Sequence, residues 1–171
     1  MTMDAAKTVV HAFITSRVDY CNSLFCSACT VHFNPLESVL HAAARVITRK
    51  RKYDRITATI RDQIHWLPVK QWIDRKLWTF IFKCLHNTVP MYLRYMCIPV
   101  SSISGRSSIR SAAHGDLWHK HTRTKPFDPR AAAVPGPSIC NKFSATVRDQ
   151  LLTYGKFYRK QKSVMFNRAY N

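Results

Sequence analysis

The chain has 171 residues, enough for one compact domain with a sizeable core, and it is 46% apolar and 12% aromatic, which excludes wholesale disorder. Twenty-seven Lys and Arg against nine Asp and Glu give a formal net charge of +18, a bias toward polyanionic partners. The longest strongly apolar stretch lies near Trp78 to Phe82, far short of the roughly 20 residues needed to span a bilayer, so no membrane partner is expected.

Residues 4–21 place Val9, Val10, Phe13, Ile14, Val18 and Cys21 on one face at helical spacing, with Thr2 or Asp4 to cap the start, which predicts an amphipathic helix. A second is predicted at 35–48. Asn34 stands at its cap, Pro35 at the first helical position and Glu37 at the capping-box position, with Leu36, Val39, Leu40, Ala43 and Ile47 as the stripe. A charged run from Thr48 to Arg55 interrupts the pattern, and a short turn at 57–64 leads into His65-Trp66-Leu67-Pro68, a hydrophobic staple that docks the start of the next helix. From there Val69, Trp72, Ile73, Leu77, Phe80, Ile81, Cys84 and Leu85 recur at steps of three and four, with Lys70, Arg75 and Lys83 on other faces.

Asn87 and Pro90 end that helix, and Pro90 opens a short one through Cys97 before Pro99. Residues 100–145 are rich in Ser, Gly, Pro, His and Arg, and Pro126, Pro129, Pro135 and Pro137 exclude a long helix there, leaving loops with room for two short strands. A last amphipathic segment runs from Ala145 to Leu152 and continues from Phe157 to Tyr170. The expected fold is mainly α: a small helical bundle at 2–98, a loop-rich basic region at 99–144 and a terminal helical segment at 145–171, open to fraying.

A family resemblance begins at Ser16-Arg17-Val18-Asp19-Tyr20-Cys21-Asn22-Ser23-Leu24, which resembles the block after the polymerase palm in jockey-like and related non-LTR (LINE) retrotransposons. Further blocks follow in the same order: Ala42-Ala43-Ala44-Arg45-Val46 with Thr48-Arg49-Lys50-Arg51-Lys52-Tyr53, then His65-Trp66-Leu67-Pro68-Val69, then Lys83-Cys84-Leu85-His86 with Pro90-Met91-Tyr92-Leu93. A looser likeness continues through Arg110-Ser111, Thr122-Arg123-Thr124-Lys125 and Pro135-Gly136-Pro137-Ser138-Ile139-Cys140-Asn141, where Cys140 replaces a usual tryptophan and His121 a usual arginine. The resemblance covers about residues 2–150. It implies that residues 2–98 are a thumb-like helical domain of an RNA-directed DNA polymerase, that nucleic acid is the partner, and that the absent palm is a second one.

Polymerase chemistry requires two metal ions held by carboxylates that lie close together, commonly an adjacent aspartate pair and a third from another strand. The nine acids here are scattered with no adjacent pair, so no catalytic residue is assigned and the chain is not expected to be an enzyme on its own. Glu37 reads as a helix cap, Asp54 and Asp74 as local partners of Arg51, Arg75 and Lys70. The four glycines, at 105, 115, 136 and 155, lack the spacing of a phosphate loop, and no cofactor is expected.

Charge placement is more informative. Residues 1–44 hold Lys7 and Arg17 against Asp4, Asp19 and Glu37, so residues 45–171 carry a net +19. Arg45, Arg49, Lys50, Arg51, Lys52 and Arg55, interleaved with Tyr53, fit phosphate contact, since such cations displace condensed counterions and a ring stacks on a base. The competing reading is a solvated loop, with a nuclear-import signal as a minor one. A second set, Lys120, Arg123 and Lys125 with Arg130, His119 and His121, reads either as a further nucleic-acid contact or as a disordered basic tract.

Cys21, Cys26, Cys29 and His32 offer four potential zinc ligands, but the intervals of four, two and two residues match no established motif, and Cys21 also belongs to the first apolar stripe. The six cysteines follow a start, MTMDAAK, without the charged and apolar regions of a secretory signal. They read as reduced thiols, and the protein as intracellular, nuclear or cytoplasmic.

Overall fold

The computed structural model describes residues 2–118, 135–142 and 152–170. They form a mainly α-helical fold with one two-stranded sheet. The first helix, α1 (residues 3–19), is capped by Thr2, whose Oγ1 accepts from the Ala5 N–H at 3.3 Å. It is not uniform: His11–Thr15 is a π turn between α-helical Met3–Val10 and Ser16–Asp19. Thr15 and Ser16 donate their hydroxyls to carbonyls four residues back, contacts that compete with and bend the backbone ladder. A wider turn shifts the buried face by one residue. Ala6, Val10 and Thr15 are buried, and Ile14 and Val18 pack half-buried against the core as the stripe predicts, whereas Phe13, 74% exposed, Val9 and Cys21 face outward and are corrected.

Cys21, in the left-handed region (φ 51), breaks α1, and 3-10 turns at Asn22–Phe25 and Thr30–Phe33 lead into α2 (Asn34–Thr48). Leu40, Ala43, Ala44 and Ile47 are buried there, while Val39 is exposed. The predicted capping box does not form: α2 begins at Asn34 with no side-chain cap, and Glu37 Oε1 accepts from the Val69 N–H at 2.6 Å. Glu37 therefore caps another helix, placing a carboxylate at the positive end of its dipole.

That helix is α4 (Val69–Leu85), reached through α3 (residues 57–64, α-helical Thr57–Thr59 then a π turn at Ile60–Ile64). Seven of its residues are buried, Val69, Ile73, Leu77, Trp78, Ile81, Phe82 and Cys84, and they do not share one narrow stripe. A helix buried on several sides sits at a core, and neighbours surround α4. It stops at Asn87 (φ 59), with Thr88 N–H returning to the Lys83 carbonyl at 3.0 Å and Asn87 N–H to that of Cys84 at 3.3 Å, the double closure of a Schellman end.

After α5 (Met91–Arg94), strand β1 (Ile98–Pro99) pairs antiparallel with β2 (Leu117–Trp118), Ile98 facing Trp118. Between them lie a 3-10 turn, Val100–Ser102, and α6 (Arg110–Ala113). The Pro-rich region also holds α7 (Pro135–Asn141), short enough to accept Pro135 at its first position, where the missing N–H is not needed. Asn141 exchanges two hydrogen bonds with the Leu117 backbone, at 2.9 and 2.8 Å, tying α7 to the sheet. Gly136 rests against α4, where an added Cβ would stand 3.2 Å from Ile81 Cδ1.

The last helix, α8 (Tyr154–Tyr170), buries Phe157, Gln161 and Met165 against the rest of the core. Phe157 is stacked on Phe82, centroids 3.8 Å apart, and meets Trp78 edge-on at 5.3 Å. Gln161 Nε2 donates to the Arg75 carbonyl at 2.8 Å and to Thr79 Oγ1 at 3.1 Å, fixing the register of α8 on α4. The core thus draws on residues from both sides of position 98. Trp66 packs against all three buried clusters, and Tyr170 donates to its carbonyl at 2.6 Å. The predicted helical residues 145–151 lie outside the described residues, among which no helix is long and apolar enough to cross a membrane.

Candidate nucleic-acid interface

The loop at 49–55 is ordered by its own backbone. Arg49 adopts the left-handed conformation (φ 55), and the Lys50 N–H returns to the Arg45 carbonyl at 3.1 Å, closing α2. Asp54 Oδ2 accepts from the Arg51 N–H at 2.8 Å, and Asp54 N–H bonds the Arg51 carbonyl at 3.2 Å, making a tight turn of residues 51–54. Asp54 so partners the backbone of Arg51, leaving the guanidinium to another use. Asp74 pairs with Lys70 at 3.3 Å one helical turn away.

The seven residues of the first basic set are not equivalent. Arg45 is half-buried and donates to the Asp54 carbonyl at 3.2 Å, and Lys50 Nζ donates to Thr59 Oγ1 at 2.6 Å, so both brace the loop from within. Arg49, Arg51, Lys52 and Arg55 are exposed, and Tyr53 is 89% exposed with Lys52 Nζ 5.6 Å from its ring centre. A hydrogen-bonded turn thus displays four cations and an uncovered ring. The second set, Lys120, Arg123 and Lys125, lies outside the described residues.

Among the described residues no three His, Cys, Asp or Glu side chains come together to hold a metal ion. Cys21, Cys26, Cys29 and His32 are no exception: Cys26 is buried beneath the turn while Cys21, Cys29 and His32 face outward. The buried thiols follow a different logic. Burial pushes Cys97 well above the ordinary thiol range, with Cys84 beside it adding to the effect, and burial raises Cys84 in turn. Both stay protonated at neutral pH and are poor nucleophiles. On the surface, Arg61 grips the carboxylate of Asp62 at 2.7 and 3.2 Å and holds its pKa below the usual range.

A larger basic feature escaped the sequence reading. One face of α4 carries Trp72, Arg75, Lys76, Thr79, Phe80 and Lys83 and borders an open cavity of about 530 Å³, closed on its far side by Tyr158 of α8. Helical spacing alone identifies that face, but only the docking of α8 turns it into a groove. α8 itself has no acidic residue and exposes Lys156, Arg159, Lys160, Lys162 and Arg168. No protein-family model, curated protein or solved structure matches the chain.

Proposed function

We propose that this chain binds nucleic-acid backbone without sequence preference, as the thumb and post-thumb portion of a non-LTR retrotransposon reverse transcriptase, the portion that follows the catalytic palm. Chemistry would reside in that palm, and this portion would hold template and primer without reacting on them. The observation that carries the reading is charge: +19 over residues 45–171, with Arg51, Lys52, Arg55 and Tyr53 displayed on a braced turn. Each phosphate contact releases condensed counterion, so affinity falls with salt at a slope of about 0.7–0.9 per contact on logarithmic axes.

The test is a gel shift of single- and double-stranded probes across salt. Retention at low salt with a steep loss as salt rises supports the proposal; no retention, or binding insensitive to salt, refutes it. Replacing Arg51, Lys52 and Arg55 together with alanine should reduce the slope by two to three.

A second reading has its own support. Phe13, Tyr20, Leu24, Phe25 and Val31 are all more than half exposed, within one short stretch of chain. Exposed apolar side chains in that number fit a small helical interaction module or an inactive transposon relic, with no selected activity. Binding of an apolar-surface dye without nucleic-acid affinity would favour it.

A further inference from the structure

The groove along α4 has a composition that the basic loop lacks. Beside the cavity of about 530 Å³ lies another of about 600 Å³, and the two share Trp72 and Arg75. The second adds Lys7 from α1 and Lys162 from α8 to its walls. Each volume lies within the roughly 300–1,000 Å³ of sites that hold a small molecule or part of a chain. Cations dominate throughout. Among the described residues the one acid on either wall, Asp19, is engaged by Lys76 at 2.7 Å. Along the floor and rim stand rings: Trp72 and Phe80 half-buried, and Tyr158 43% exposed with the Arg75 guanidinium 4.4 Å above it.

Cations alone suit any polyanion, so the rings decide the ligand. A chain of acidic side chains alone gains nothing from them, and a duplex keeps its base faces stacked inside. An unpaired strand presents phosphates and bare base faces together, which is what cations interleaved with aromatic rings recognise. Arg75, held over Tyr158, is placed between the two cavities and offers its N–H edge to a phosphate linking consecutive nucleotides. We infer that this groove is a binding site for single-stranded nucleic acid, its bases stacked on Trp72, Phe80 and Tyr158 and its phosphates on Arg75, Lys83 and Lys162. The inference rests on the nucleic-acid reading above but uses another surface. Its α8 wall lies outside the stretch, about residues 2–150, that resembles the polymerase family.

The experiment measures anisotropy of labelled probes with the intact chain: an oligothymidylate of about eight nucleotides, an abasic strand of equal length and charge, and a duplex. The thymidylate should bind at least about tenfold tighter than the abasic strand, because only it can stack. Trp72→Leu, which keeps bulk in the half-buried position, should erase that margin, whereas alanines at Arg51, Lys52 and Arg55 should weaken every probe alike. Should circular dichroism show Trp72→Leu unfolded, the exposed Tyr158→Ala serves, with a several-fold loss confined to the thymidylate.

Equal affinity for thymidylate and abasic strand overturns the groove while leaving backbone binding intact, as does a margin that survives both ring substitutions. Competition by polyglutamate as effective as by thymidylate makes the groove an acidic-peptide site and also overturns it. No binding of any probe at low salt removes both proposals.

Discussion

Two phenylalanines test how the core is built. Phe157 has no exposed surface, stacks on Phe82 at an interplanar angle of 18° and meets Trp78 at 81°. Phe157→Ala should remove the transfer energy of a whole ring and leave a void between α4 and α8, together about 3–5 kcal/mol. Within that sum the two ring pairs contribute about 0.5–1.5 kcal/mol each. Against a total folding stability of about 5–15 kcal/mol the loss is large, and for a chain of this length it lowers the thermal midpoint by roughly 6–20 °C. Phe13→Ala, by contrast, removes a ring that is 74% exposed and should change stability by less than about 0.5 kcal/mol. Equilibrium urea denaturation followed by circular dichroism measures both. A cost below about 1 kcal/mol at Phe157 would show that α8 is not part of the core, and a cost at Phe13 comparable to that expected for Phe157 would show that the π turn does not redirect α1.

Glu37→Ala should cost about 1–2 kcal/mol by uncapping α4, visible in the same denaturation; a neutral result would remove the cap assignment. Burial, then the nearby Glu37 carboxylate, raises the Tyr170 phenol above its ordinary value near 10. Its contribution is therefore complete below that pH and is lost as pH rises through the raised value, so the stability gap between wild type and Tyr170→Phe should close under alkaline conditions. A gap constant with pH speaks against it. Asn22 is 2% exposed and neither its Oδ1 nor its Nδ2 is hydrogen-bonded among the described residues, so Asn22→Leu should stabilise by about 1–3 kcal/mol in a thermal melt; destabilisation would mean that the amide has a role.

Where the sequence was legible, periodicity and burial coincided. Leu40, Ala43 and Ile47 of α2, and Val69, Ile73, Leu77, Ile81 and Cys84 of α4, are buried where the three- and four-residue steps put them. Trp78 and Phe82 fell outside the predicted stripe because a helix covered on several sides has no single apolar face. Phe13 was misplaced because 3.6-residue periodicity does not survive a π turn. α8 was hard to read for the opposite reason: its buried line at 157, 161 and 165 contains a glutamine among many cations, so the stripe is thin and its polar member finds partners only on α4. The groove depends on Tyr158 meeting Arg75 across 83 positions of chain, a pairing that no local pattern encodes. The braced loop lay between these extremes: its charges were plain, but which of them brace it, Arg45 and Lys50, depended on contacts with residues nine positions away.

The place of α4 at the centre has a consequence in time. Its N-terminus is capped by a residue made earlier, Glu37, but its flanks are covered by Phe157 and Gln161, made some eighty residues later. A ribosome adding about 5–20 residues per second leaves Trp78 and Phe82 uncovered for roughly 4–16 s. During synthesis this chain therefore displays, without its cover, the helix with the most buried residues of those described, and a chaperone that holds apolar segments has a target there.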